Sequence, residues 1–170
     1  MPKRSAGILL HRRSRGGTEV LLVHPGGPFW RNKDLGAWMI PKGEIDDEEE
    51  DPLALARREF AEETGVEPEG PFVELATIKQ KGGKVVQAWA SEGDLDPSGI
   101  QSNTFSMEWP PGSGKTTEFP EVDRAAWFAL EEARNKILPS QLPLLERLEA
   151  ILAEGEGQDK ARNDVSEKEE

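Results

Sequence analysis

The chain of 170 residues contains no cysteine and no tyrosine, and only two histidines and three methionines. The missing cysteine excludes thiol nucleophiles, disulfides and cysteine-ligated zinc. His11 and His24 fall in different β-prone runs without metal-ligand spacing, so both read as strand residues and not as ligands or general bases. Long apolar runs are absent as well: none approaches the roughly 18–20 residues of a membrane span. Met1-Pro2-Lys3-Arg4-Ser5 lacks a signal-peptide core, so a soluble, cytoplasmic protein without a membrane partner is expected. Positive charge is scarce, with 21 Lys+Arg against 33 Asp+Glu and a net charge of −12. That balance argues against a nucleic-acid polymer as partner, because phosphate backbones need Lys/Arg surfaces. It permits small phosphorylated ligands when a divalent cation intervenes.

Glycine and proline are abundant, at 17 and 13 residues, and 32% of the chain is charged against 35% hydrophobic. The length suits one domain with its own core. Residues 5–13 and 19–24 are apolar runs that read as an opening hairpin. Turn residues Pro25-Gly26-Gly27-Pro28 follow, carrying Phe29 and Trp30, and then a short strand at 38–40. The clearest helix spans 51–64, with Pro52 in its first turn and Gly65 as its stop. Strands are expected at 72–79 and 84–90, near 102–109 and at 125–128, and helices at 130–137 and 140–153. The order predicts an α/β (α+β) domain over 1–153, with one mixed sheet covered by helices on both faces. From Glu154 the chain is charged and nearly free of apolar residues, and 154–170 reads as an acidic, disordered tail.

The helix at 51–64 carries the informative chemistry. With residues about 100° apart and Glu59 at zero, Glu63 falls near 40° and Glu62 near −60°. Three carboxylates therefore share one sector, beside an apolar stripe of Leu53, Ala56 and Phe60. Like charges at these spacings repel, and acids in the C-terminal half oppose the helix dipole. An acid-rich helix by itself is usually a solvated face, but this placement costs stability and suits a hard divalent cation, which takes carboxylates, water and substrate phosphates.

The surrounding pattern resembles the Nudix box, G-x5-E-x7-R-E-U-x-E-E-x-G-U, with U a bulky apolar residue. Arg58-Glu59-Phe60-Ala61-Glu62-Glu63-Thr64-Gly65-Val66 matches its second half, and Glu50 lies at the right distance before Arg58. Gly43 stands one residue too far from Glu50; the extra residue is assigned to the loop at 44–49, because a helix would have to rotate its carboxylates to absorb it. Phe60 replaces the usual aliphatic residue. The resemblance implies a Nudix α/β/α sandwich with a mixed sheet. It also implies a pyrophosphohydrolase cleaving a nucleoside diphosphate linked to another moiety, with Mg2+ or Mn2+ as cofactor. Glu59, Glu62 and Glu63 would then be metal ligands together with the Gly43 carbonyl, and Arg58 would hold Glu50. Lys42 would touch phosphate.

Outside the box, Glu118 and Glu121 are candidates for a further base or ligand, which enzymes of this kind often recruit from a later loop. Phe29 or Trp30 could stack on a nucleobase. Gly112-Ser113-Gly114-Lys115-Thr116-Thr117 looks like a phosphate loop, but Trp109 stands where its first glycine is needed and no helical pattern follows. Lys115 is kept only as a possible phosphate contact. Among substrate markers, the chain lacks the tyrosine frequent in dinucleoside polyphosphate hydrolases, and Lys81 replaces the proline of ADP-ribose hydrolases. The segments HPGGPFW, WMIPKGE, ARREFAEETG and EFPEVDRAAWF are similar to a bacterial group of predicted NTP pyrophosphohydrolases. The expected substrate is a nucleoside triphosphate or a dinucleoside polyphosphate, with an ADP-ribose or nucleotide-sugar hydrolase, or a non-hydrolysing sensor, as alternatives. The protein is expected to act as a monomer or homodimer.

Overall fold

A computed structural model describes residues 3–46, 50–80 and 82–169, with side chains described through residue 155. The opening hairpin pairs β1 (Arg4–Ser14) with β2 (Gly17–Pro25). β3 is a short strand at Lys42–Glu44 that pairs with the start of β1. The helix α1 (Pro52–Thr64) follows, and then the hairpin of β4 (Phe72–Lys79) and β5 (Val85–Glu92). β6 (Thr104–Glu108) and β7 (Thr116–Pro120) form a separate two-stranded ribbon, and β8 (Val122–Ala129) returns to the main sheet. The chain closes with α2 (Leu130–Lys136) and α3 (Leu142–Glu169).

The main sheet has the order β4-β5-β1-β2-β8, with β3 also joined to β1. It is mixed: β1 and β5 run parallel while the other pairs are antiparallel. Alternation along β1 divides the core. Ile8 and Leu10 face Leu55, Ala56 and Phe60 of α1, whereas Leu9 joins Leu144, Leu145 and Leu148 of α3 and Ala133 of α2 on the other face. Period-two strands between period-3.6 helices thus make the expected three-layer sandwich. Phe60, fully buried, contributes a few kcal/mol by removing an aromatic ring from water, and Phe60→Ala would cost about 3–5 kcal/mol.

α1 has the ends its sequence calls for. The Asp51 carboxylate accepts a hydrogen bond from the Ala54 amide, and Gly65 takes the left-handed conformation (φ 78°) that lets its N–H reach the Ala61 carbonyl. Three sequence expectations are revised. The strand placed at 38–40 is only a pair of isolated bridges, Val23 to Met39 and Trp38 to Ile137, and the strand proper begins at Lys42. Pro41 ends this crossing segment while its carbonyl still accepts from Ile8. Residues 116–120 form β7, which the glycine-rich loop and Pro120 conceal in the sequence. The backbone of the segment expected to be a disordered tail continues α3 to Glu169, consistent with its Glu, Lys, Ala and Gln content. The described core contacts of α3 end at Leu152. Removing 156–170 is therefore expected to leave turnover and melting temperature nearly unchanged; a drop of several degrees would show that this segment supports the fold.

No helix among the described residues is long and apolar enough to cross a membrane.

Candidate active site

α1 rests on the sheet beside β3, and the meeting of these two elements builds the site. A cleft of about 340 Å³ is lined by the acids Glu44, Asp46, Glu59, Glu63 and Glu121, by Lys3, Lys42 and Lys84, and by Gly43, with Lys3 3.9 Å from Glu44. An added Cβ at Gly43 would overlap Cγ and Cδ of Glu59, so only glycine lets the Glu59 side chain lie against the β3 backbone. Gly43 therefore stays beside the helix carboxylates despite the extra residue in the loop; of that loop, 47–49 lie outside the described residues. Gly43→Ala is expected to fold but to displace Glu59. Weakened divalent-cation affinity and at least a tenfold loss of turnover should follow, measurable by calorimetry and kinetics.

The carboxylates differ in surroundings. Glu63 is buried with 8% of its surface exposed, because at about 40° on the helix it lies among Ala56, Phe60 and Leu55 and not beside them. Burial first, then the charges of Glu59 and Glu121, push its carboxyl up to about 8, against the pull of Lys42 and a hydrogen bond from the Lys42 backbone N–H. Glu59 is half-buried and raised to about 7 by burial and then by Glu62 and Glu121. Glu121 is shifted upward by burial and by Glu62. Burial lowers the Lys42 ammonium, against the opposing effect of Glu63. Stacking this much negative charge in one partly desolvated place is unfavourable without a cation.

The residues singled out in the sequence fall into two groups. Glu59, Glu63, Gly43, Lys42 and Glu121 come together at the cleft. Glu62 sits on the flank of α1, its carboxylate 3.9 Å from Arg58 Nε, yet close enough to raise Glu59 and Glu121. Arg58 forms an ion pair with Glu50 across the loop that precedes α1. Glu118 is not at the cleft: it lies exposed on the β6–β7 ribbon, where Thr104 donates to it at 3.3 Å. Lys115 is exposed in the ribbon's loop, where its backbone N–H donates to the Ser113 hydroxyl at 3.2 Å. Phe29, 61% exposed, packs edge-on against Trp109 at 5.8 Å and does not line the cleft. Trp30 lines a neighbouring pocket.

Sequence reading missed Lys3 and Lys84, which the pairings of β1 with β3 and with β5 bring to the cleft. It also missed the anchor at His24. That residue is fully buried, with Nδ1 2.9 Å from Asp123 and Nε2 donating to the Lys33 carbonyl at 2.7 Å, so it ties the loop carrying Trp30 to β8. A histidine at the end of an apolar strand was the available signal; its partner 99 residues away was not.

Oxygen donors converging on a glycine floor fit a hard divalent cation, and the glycine cradle is built around one of the donors. Among the described residues no three acidic or histidine side chains already stand at metal-ligand spacing, so rotamer changes accompany any loading.

Comparison with known proteins agrees with this arrangement. The NUDIX domain family model matches residues 1–148. An RNA pyrophosphohydrolase of Caulobacter vibrioides is 43% identical over 61 residues, covering 33% of this chain and 35% of that protein. The match thus spans about a third of the length of the curated relatives. Among solved structures, a C. elegans Ap4A hydrolase binary complex superposes with a TM-score of 0.63 at 25% identity, covering 88% of this chain and 98% of its own. The NUDIX domain of Shewanella oneidensis NrtR complexed with ADP ribose has a TM-score of 0.63 at 20% identity, covers 89% of each chain, and supports the fold alone. A family match across nearly the whole sandwich, on a chain whose helix carboxylates face a glycine-floored cleft, means that this protein belongs to the Nudix family.

Proposed function

We propose that the protein is a metal-dependent pyrophosphohydrolase that cleaves a phosphoanhydride bond in a nucleotide, a nucleoside triphosphate or a dinucleoside polyphosphate. The observation that carries this reading is the cleft itself, where acids with raised pKa and three lysines share one lining. Glu59, Glu62 and Glu63, with the Gly43 carbonyl, hold Mg2+ or Mn2+. When bound, the cation neutralises the pyrophosphate and lowers the pKa of the attacking water. Lys3, Lys42 and Lys84 hold the phosphate oxygens, and the Arg58–Glu50 pair fixes the loop leading into the helix. Water attacks phosphorus, its proton passes to Glu121, and the P–O anhydride bond breaks to release the leaving phosphate. Glu121 takes the role for which Glu118 was the other candidate, because only Glu121 reaches the cleft. The catalytic domain is 1–153, and the protein works in the cytoplasm as a monomer or homodimer.

Similarity to an Ap4A hydrolase at 25% identity supports the substrate class. The relative named as an RNA pyrophosphohydrolase makes RNA ends a necessary comparison, although the net charge of −12 favours free nucleotides. The test is phosphate and pyrophosphate release with and without Mg2+ or Mn2+. The panel holds canonical and oxidised nucleoside triphosphates, dinucleoside polyphosphates, ADP-ribose, nucleotide sugars and an RNA with a 5′-triphosphate. Metal-dependent turnover of a free nucleotide is expected. Nucleotide binding with no turnover of any panel member would convert the reading to that of a sensor.

A further inference from the structure

Glu121 stands where the β6–β7 ribbon joins the main sheet, between the end of β7 at Pro120 and the start of β8 at Val122. Both peptide groups that flank it are bonded to other segments. The Glu121 N–H donates at 2.8 Å to the Asn103 carbonyl, on the chain leading into β6. The peptide that follows is held at its two ends. Its carbonyl, that of Glu121, accepts from the Gly26 N–H at 3.0 Å, and its N–H, that of Val122, donates to Ser102 Oγ at 3.0 Å. The Ser102 hydroxyl donates in turn to the Asn103 carbonyl at 2.8 Å, which closes the ring of bonds.

Gly26 is needed here for space and not for backbone freedom. Gly27 takes a positive φ of 100°, whereas Gly26 does not. An added Cβ at Gly26 would overlap the Pro120 carbonyl oxygen and come within 2.9 Å of the Pro120 carbonyl carbon. The obstacle is backbone, so no side-chain rotation relieves it, and any side chain at this position must push the Pro120–Glu121 peptide away. Strand register completes the arrangement. β2 and β8 pair in step as far as His24 with Arg124; Pro25 then faces Val122, and Asp123 is the extra residue. Such a bulge re-aims the chain beyond it, and the chain beyond it here is Glu121. The bulge is pinned by the fully buried His24, whose Nδ1 lies 2.9 Å from the Asp123 carboxylate.

We propose that Gly26 and Ser102 are positioning residues for Glu121: by fixing the peptides on its two sides they hold its carboxylate at the cleft. Glu118, three residues earlier on the ribbon, lies outside this clasp and stays away from the site. The inference rests on reading Glu121 as the group that takes the proton of the attacking water, and it adds what keeps that group in place. A proton acceptor works only within hydrogen-bond reach of its water, and a displacement of about 1 Å can cost on the order of a hundredfold in rate.

The test joins a double-mutant cycle on turnover to amide hydrogen exchange. With the best nucleotide of the wild-type protein, Gly26→Ala is expected to lower kcat about ten- to hundredfold and to move KM by less than about threefold, because Glu59, Glu63 and the lysines are untouched. Added to Glu121→Gln it should cost less than about twofold more, since no carboxylate is left to misplace. Ser102→Ala is the milder probe, expected to lower kcat about three- to tenfold, and Ser102→Thr, which keeps the hydroxyl, should restore it. The serine pair carries the same cycle should Gly26→Ala fail to fold. Exchange needs no turnover: in Gly26→Ala it should quicken at least about tenfold at the Glu121 and Val122 amides and stay unchanged in α1. Losses that multiply in the double variants, or unchanged turnover in folded Gly26→Ala and Ser102→Ala, would overturn the inference and leave the enzymatic reading standing. A wild-type protein inert on every nucleotide would overturn the enzymatic reading, and the positioning role with it.

Discussion

Glu63→Gln is expected to cut turnover at saturating Mg2+ by about two orders of magnitude or more, while the protein becomes more resistant to heat above pH 8. The two effects have one origin. Glu63 is buried, faces Glu59 and Glu121, and is pushed up to about 8 by that environment. Glutamine has the same shape and can still accept the hydrogen bond from the Lys42 backbone N–H, so packing against Ala56 and Phe60 survives. What disappears is an ionised oxygen donor and its repulsion with the neighbouring acids. Losing the repulsion stabilises the metal-free fold; losing the ligand removes charge stabilisation where the phosphoanhydride breaks. Steady-state kinetics and thermal melts on one preparation check both. Turnover near the wild-type rate in a folded variant would remove Glu63 from the machinery, and a fall in melting temperature would contradict the account of its burial.

Raising the pH from 6 to 8 is expected to strengthen divalent-cation binding by about several hundredfold, far more than ordinary carboxylates would allow. With Glu59 at about 7 and Glu63 at about 8, both must lose protons before they ligate, and both are largely protonated at pH 6. Calorimetry in buffers of different ionisation enthalpy should therefore detect proton release on binding. The metal-free protein should show the opposite trend in stability. Both carboxyls are raised from 4.5, so between that value and about 8 the folded chain holds more protons than the unfolded one. Stability then falls as pH rises through this window. Saturating Mg2+ should reverse the slope, because the cation binds only the folded, deprotonated site. A cation affinity flat between pH 6 and 8 would mean that these acids are not the ligands.

Much of this protein was legible in one dimension because its decisive signals are local. Asp51, Pro52 and Gly65 mark the ends of α1 by capping chemistry that needs no distant partner. The spacing of Glu59, Glu62 and Glu63 places them on one side of that helix whatever it packs against. The pairing of Arg58 with Glu50 lies within eight residues and follows the motif register. The continuous apolar runs of β1 and β2 announce a sheet buried on both faces. The strand at β7 was concealed for the converse reason: its residues alternate weakly beside a proline, and only pairing with β6 makes them a strand.

The sequence by itself determined the family, the carboxylate-bearing helix, the glycine that sits beside it and the layered α/β architecture, all of them encoded by spacing along a few tens of residues. Tertiary structure alone decided which acid outside the box lines the cleft. Glu118 and Glu121 are three residues apart and chemically identical, yet the end of β7 turns one toward the cleft and leaves the other on the ribbon. It also decided that Glu63 is buried while Glu62 is half-exposed, and that Lys3, Lys42 and Lys84 line one cleft. Pairings such as Gln80 with Ser140 and His24 with Asp123 join segments 60 and 99 residues apart. Such contacts arise from how strands are ordered in the sheet, and strand order is set by the packing of the whole core, which no local pattern of residues contains.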